Sequence, residues 1–292
     1  MSTSVAVVIP TYNSEKTILR AIESCENQVL QPKEIIVVDN NSTDSTPNLV
    51  SSYRGDIPVT LLSEDRQGAN YCRNKGLNHI SSDYVQFLDS DDELLTDKLA
   101  EDIVAIQRTN AAIAVSGFQR YRDSIRELIQ LYHESSIFIE LFKGHLGKTS
   151  CFLFSTSHLK NIGGWSENQK SSQEYELLFR AVKNDLKIVR CEKINVVIYE
   201  HGMNRISMID QDQNAWRFYQ LREEMLNWIL LEQQFSENEM NVVLTSFYNS
   251  IVALSRFDYL KAKQVLSNNI ERIRPHLGVR TKIHMLLHFK KW

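Results

Sequence analysis

The feature that most constrains this chain is a regular alternation of short apolar runs with segments of helical spacing. "VAVVI" (5–9), "EIIVVD" (34–39), "VTLLS" (59–63) and "YVQFL" (84–88) are continuously apolar or nearly so, and β-branched residues dominate the first two. Runs of this kind read as strands buried on both faces, the pattern of a parallel sheet. After the first run, Ile18, Leu19, Ile22 and Cys25 recur at helical spacing. After the second, "NNSTDSTP" is a turn cluster, with Thr46 reading as a helix N-cap and Pro47 as the first helical position. Helices are expected from about Gly68 to Ile80 and from about Thr96 to Arg108. The alternation predicts a parallel α/β sheet covered on both faces, with ligands bound outside the carboxyl ends of its strands. Asp39 and Asp89 fall at such ends.

Past residue 110 the alternation loosens. "AAIAVSGFQRY" and "RELIQLY" read as strands of a mixed region, "IFIELFKG" as a helix and "SCFLFS" as a strand. A short helix ending at the glycines of "SHLKNIGGW" precedes a helix from about Ser172 to Asn184, then strands at 186–191 and 195–199. From 211 onward the spacing is helical, with Trp216, Tyr219 and Trp228 as core positions. The expected organisation is a first domain over 1–208 and a helical C-terminal region over 209–292.

Composition removes several function classes. A net charge of -3 gives no electrostatic footprint for nucleic acid. Four widely separated cysteines without a CxxC pair read as reduced, buried thiols, not a disulfide frame or a zinc site. "MSTS" leads directly into "VAVVIP", which reads as a first strand and not a signal peptide. No apolar run approaches the ~18 residues that span a bilayer. The expected location is cytoplasmic.

The densest chemistry lies in "LDSDDELL" (88–95), where Asp89, Asp91, Asp92 and Glu93 crowd the end of a buried run. Such carboxylates repel one another unless a cation sits among them. Without His or Cys they suit a hard ion, Mn²⁺ or Mg²⁺. If strand geometry persists, Asp89 and Asp91 share a face. Asp92 and Glu93 lean toward capping the next helix. Asp39, opening "DNNSTD", is placed either to accept hydrogen bonds from a base or ribose, or to close an Asx turn. "RQGANYCRNKG" sets Gly68 near Arg66, Arg73 and Asn74 at a helix start, a phosphate or ribose cradle without the dinucleotide fingerprint.

Taken together, "VVIPTYNSEKTILRAIES", "PKEIIVVDNNSTDST", "RQGANYCRNKGL" and "YVQFLDSDDELL" stand in an order and spacing that resembles the family 2 inverting glycosyltransferases, with "NIGGWSENQKSSQEYELLFRAV" similar to that family's acceptor-side segment. The resemblance covers roughly 5–205. It implies a GT-A (Rossmann-like) fold with the helical region as an appendage, a nucleotide-diphosphate sugar donor, and a glycan or lipid-linked acceptor. It implies that Thr11 and Tyr12 line the base pocket, that Asp39 bonds the base, and that Arg73 sits near base or phosphates. Asp89 and Asp91 match the family's D-x-D, with Asp91 the main metal ligand and Asp89 near the ribose or the metal's waters. Gly164 and Trp165 would shape the sugar and acceptor pocket. Glu174 matches the catalytic base, where the family more often has aspartate, and Glu176 is its neighbour. His201 falls where some relatives place a phosphate- or metal-facing residue, and Asn40 replaces a common acid. Two other readings stand beside this one: a nucleotidyltransferase, and a catalytically silent nucleotide-sugar-binding subunit of a glycan assembly complex.

The segment from Arg272 to Trp292 carries six Lys/Arg and no acid. It reads either as a basic amphipathic helix resting on the inner face of an anionic membrane, or as a terminal helix packed on its own domain. His284 and His288 are four apart and lack a third metal ligand.

Overall fold

The computed structural model describes residues 3–122, 125–129, 136–200, 210–232 and 235–289. Contacts between Cα atoms divide the chain into two compact units, Met1–Glu134 with Leu146–Gly202, and Ser135–His145 with Met203–Trp292.

The first unit is built on a nine-stranded sheet. The four apolar runs form β1 (Val5–Thr11), β2 (Glu34–Asp39), β3 (Val59–Ser63) and β4 (Tyr84–Phe87), all mutually parallel in the order β3-β2-β1-β4. Every residue of β1 is buried. Its helices are α1 (Ile18–Glu26), α2 (Thr46–Ser52), α3 (Ala69–His79), α4 (Lys98–Thr109), α6 (Thr156–Asn161) and α7 (Gln173–Lys183). The N-cap of α2 is Ser45, one residue before the expected Thr46, because the Thr46 hydroxyl is engaged by the backbone N–H of Ser14 across the loop at 2.8 Å.

Beyond β4 the sheet is mixed, not parallel throughout. β8 (Phe152–Ser155) runs antiparallel to both β4 and β6 (Ile113–Arg122). β7 (Ile125–Ile129) pairs antiparallel with β6. The two strands expected at 186–191 and 195–199 are one, β9 (Ile188–Glu200), parallel to β6. A register shift at Gly117 absorbs the polar "EK" that suggested a break. A two-residue strand, β5 (Glu93–Leu94), pairs antiparallel with β9. Its two residues gave no sequence signal, since a single pairing is a tertiary event. Behind the sheet, Lys98 is fully buried and reaches Asp102 and the Gln86 side chain, while Asp102 also accepts from Ser116 and Cys191. Such a buried charge survives because each polar partner is matched. All four cysteines are buried free thiols, and burial pushes those of Cys25, Cys72 and Cys151 up to about 12.

The second unit holds α5 (Ile137–Lys143), α8 (Gln211–Glu232), α9 (Glu237–Ser255), α10 (Tyr259–Ile273) and α11 (Val279–Phe289). Phe138 of α5 packs on Trp228 and Phe235 at 5.4 and 5.3 Å between ring centroids. Trp216 stacks on Tyr219; Tyr219 is buried as expected of a core position, whereas Trp216 and Trp228 are half-buried. In α11, Met285 and Phe289 are buried, with Phe289 against Tyr248 and Tyr259, so this helix packs on its own unit. His284 bonds the Tyr248 hydroxyl and His288 the Ser255 hydroxyl. Among the described residues no helix is long and apolar enough to cross a membrane.

Candidate active site

The site residues gather where β1, β2 and β4 end. Thr11 and Asp39 are the last residues of adjacent strands and lie in register. Asp39 is 6% exposed, and its Oδ2 accepts the Ser42 N–H at 3.1 Å, the Asx turn expected as one alternative. Its Oδ1 is buried with no protein partner, and so is Oγ1 of Thr11. Buried polar atoms without partners are costly and rare. These two lie in register at the carboxyl ends of β1 and β2, where a parallel sheet receives its ligand. Tyr12 follows at the surface, 52% exposed. Asn40 ties the next loop: its Nδ2 donates to the carbonyls of Glu64 and Arg66, and its Oδ1 accepts from the Gly68 N–H. A carboxylate could not donate to those two carbonyls, which accounts locally for an amide in place of an acid.

The acidic motif is a turn, not a strand. β4 ends at Phe87, and the Asp92 N–H bonds the Asp89 carbonyl at 3.0 Å. Asp89 and Asp91 thus lie in one closed turn, and strand alternation does not set their relation. Nor do Asp92 and Glu93 cap α4, whose N-cap is Asp97. β5 and a further turn intervene. Asp92 is 4% exposed, and its carboxylate accepts from the Ser150 hydroxyl at 2.7 Å. Burial, and then the charges of Asp91 and Asp89, push the Asp92 carboxyl well above the usual range. Glu93 pairs with Arg20 at 2.7 Å. Arg20 also donates to the Asp91 carbonyl at 2.6 Å and lies 3.9 Å over the Tyr199 ring. Arg20, Ser150 and Tyr199 therefore fix the acidic turn. Sequence reasoning missed all three, since each arrives from a distant element: α1, the segment before β8, and the end of β9.

Arg73, on α3, is the hub. It is 4% exposed and lies 4.6 Å over the Trp165 ring. Nη2 donates to Asp89 Oδ1 at 2.8 Å, and Nη1 to Gln173 Oε1 at 2.7 Å and Asn70 Oδ1 at 3.1 Å. Trp165 is itself 1% exposed, with its ring edge-on to Phe87 at 5.2 Å, so it underlies Arg73 and does not face solvent. Gly164 has φ +66°, and a Cβ there would meet Asn74 Oδ1 at 2.7 Å. Asn74 in turn holds both backbone groups of Trp165 at 2.8 Å.

Glu174 lies in the first turn of α7. Burial raises its carboxyl above the ordinary glutamate range, against the lowering effect of Lys148 and Arg73. Glu176 is committed elsewhere, holding Arg180 at 2.6 and 2.9 Å, while Arg180 bonds the carbonyls of Ile162 and Gly164. His201 lies outside the described residues. Among the described residues no group of three or more His, Cys, Asp or Glu side chains is placed to hold a metal ion. The structure thus joins Asp89, Arg73, Trp165 and the start of the Glu174 helix, keeps Asp91 in the same turn as Asp89, and places Thr11 one strand and Asp39 two strands from β4.

The sequence profile described as Glycosyl transferase family 2 matches residues 6–163. The chain is 38% identical over 112 residues to GalNAc(5)-diNAcBac-PP-undecaprenol beta-1,3-glucosyltransferase of Campylobacter jejuni, a stretch covering 37% of this chain and 35% of that protein. It spans less than half the length of the first curated relatives it matches. Its fold resembles Staphylococcus aureus TarS 1-349 in complex with UDP-GlcNAc (TM-score 0.66, 18% identity, 94% of this chain, 88% of that one). It also resembles the mannosyltransferase PcManGT from Pyrobaculum calidifontis in complex with GDP-Man and Mn²⁺ (TM-score 0.60, 19% identity, 99% and 86%). The shared architecture is the GT-A fold with added C-terminal helices. Since the profile spans more than half of the 292 residues, from β1 to α6, and contains the acidic turn, Arg73 and Asp39, the chain belongs to glycosyl transferase family 2.

Proposed function

We propose that this protein transfers a sugar from a nucleotide-diphosphate donor to a hydroxyl of a glycan or lipid-linked acceptor, with inversion at the anomeric carbon, in the synthesis of a cell-surface polysaccharide or lipid-linked glycan. The observation that carries the reading is the pair of buried, unpartnered atoms Thr11 Oγ1 and Asp39 Oδ1, in register at the ends of β1 and β2, with β1 beside the β4 that leads into the acidic turn. A nucleoside supplies the missing partners.

Asp39 and Thr11 bind the base and Tyr12 lies beside it. Arg73 orients Asp89 toward the ribose, and Gly164 keeps the backbone close to α3 below the sugar. Mn²⁺ or Mg²⁺ fits the carboxylates of Asp91 and Asp89, hard oxygen donors of the kind such ions use together with substrate phosphates and water. When bound, the ion supplies Lewis-acid stabilisation of charge on the departing diphosphate. Glu174 accepts the acceptor's hydroxyl proton as the oxygen attacks, a role that contributes typically ~10²–10⁴-fold. Its raised carboxyl suits the role, since a stronger base takes the proton more readily. The basic segment after Arg272 is proposed to meet an anionic membrane surface at the inner face, its charges supplying the contact while Met285 and Phe289 stay packed.

Calorimetric titration of UDP, GDP, CDP and dTDP, each with and without Mn²⁺, tests the reading. One diphosphate should bind tightly only with metal, and Asp91→Asn should weaken that binding at least about tenfold, the loss of a charged ligand contact. Unchanged Mn²⁺ dependence removes Asp91 from the site, and binding without any transfer or donor hydrolysis points to a silent subunit. Sedimentation of the full chain with anionic vesicles tests the membrane contact, and recovery in the supernatant rejects it.

A further inference from the structure

The first turn of α7 has no side-chain cap of its own. Its N-cap, Ser172, sits at φ +54° and bonds no helix N–H through its hydroxyl. Tertiary bonds hold the turn instead. Tyr175 donates its hydroxyl to the Gly147 carbonyl at 2.8 Å, and Gln173 accepts from Arg73 Nη1 at 2.7 Å. The second bond ends on the same guanidinium that grips Asp89 at 2.8 Å. That guanidinium has little freedom: it is buried, seated on the Trp165 ring, and fixed by Asn70 within its own helix. A planar fork so constrained acts as a rigid link between its acceptors.

We propose that Gln173 is a positioning residue that couples the donor side of the site to the base: through Arg73 it ties Asp89 to the turn that carries Glu174. This rests on Glu174 serving as the base of the proposed transfer. Engagement of Asp89 by donor and cation is passed through the rigid Arg73 guanidinium to Gln173 and so to the first turn of α7, which aligns the base when a donor is in place. Gln173 touches neither donor nor acceptor. It acts by holding Glu174 within reach, and misplacement of a base by about 1 Å can cost about 100-fold in rate.

The test uses the full chain as wild type, Gln173→Met and Gln173→Glu. Met matches the length of Gln and accepts no strong hydrogen bond, whereas Glu keeps an acceptor for Nη1. Nucleotide affinity is measured by calorimetry with the four diphosphates and Mn²⁺. Order in α7 is read by hydrogen exchange of a peptide covering 172–178, with and without the diphosphate that binds plus Mn²⁺. Wild type should gain at least about fivefold protection in that peptide on binding, and Gln173→Glu should keep the gain. Gln173→Met should lose it, with nucleotide affinity within about threefold of wild type and donor hydrolysis down about 10- to 100-fold, the range expected for a displaced base. A purely structural Gln173 would lower the melting temperature without uncoupling binding from protection. The same ligand-dependent protection in Gln173→Met as in wild type overturns this inference alone. Failure of wild type to bind any diphosphate overturns the proposed function, and this inference with it.

Discussion

At the scale of single residues, the chemistry turns on where each carboxylate is solvated. Asp89 has 35% of its side chain exposed and an arginine partner, Asp92 is sealed behind Ser150, and Glu174 is raised by burial. These three acids cannot share one role. A base must be ionised to take a proton, and the Glu174 carboxyl titrates above the ordinary ~4.3 of glutamate. Turnover should therefore be full above that raised midpoint and fall as pH drops through it. A pH profile of kcat checks the sign, and an acid limb at or below the ordinary glutamate value removes Glu174 from the role. Glu174→Gln should keep nucleotide affinity within about twofold and lose ~10²–10⁴ in turnover. Near-normal turnover in that variant would assign the proton to another group.

At the scale of elements, the site depends on how closely α3 approaches β1. Gly76 is the contact. A Cβ at this position would lie 2.4 Å from Val8 Cγ1, and Val8 is fully buried in the middle of β1. Alanine in a helix ordinarily gains about 1 kcal/mol over glycine. Here the clash is with a core side chain that has nowhere to move, and overpacking costs typically ~1–3 kcal/mol. Gly76→Ala should therefore be net destabilising in urea unfolding, despite the better helix former. It should also weaken nucleotide binding, because Arg73 lies one turn earlier on α3. A stabilised Gly76→Ala would mean that α3 can shift outward without loss.

At the scale of the whole molecule, the described helices of the second unit close on one another at the C-terminus. Met285 is 1% exposed and Phe289 fully buried, and full burial of such side chains is worth about 1.5–3 kcal/mol each. A chain ending at residue 277 should therefore lose protection within 237–273, seen as earlier cleavage of α9 and α10 in limited proteolysis. An unchanged cleavage pattern would show that α11 contributes little to that packing.

How much was legible in the sequence follows from the range of the forces involved. β1 to β4, α1, α3, α4 and α7 were readable because hydrophobic periodicity is local, and the order of the motifs pointed to the family. Asp89 and Asp91 stood out by type and spacing, while the roles of Asp39, Arg73 and Glu174 came from the resemblance to the family. Only the tertiary structure decided that the sheet becomes mixed after β4, since pairing direction is set by partners and not by a strand's own residues. It alone turned "LDSDDELL" into a closed turn clamped by Arg20, Ser150 and Tyr199, and made Trp165 the floor beneath Arg73. It alone put Gln173 and Asp89, 84 positions apart, on one guanidinium. The sequence by itself determined which residues could do chemistry, because composition and spacing are local. Which of them share a partner is long-range packing, and that was settled only when the chain closed.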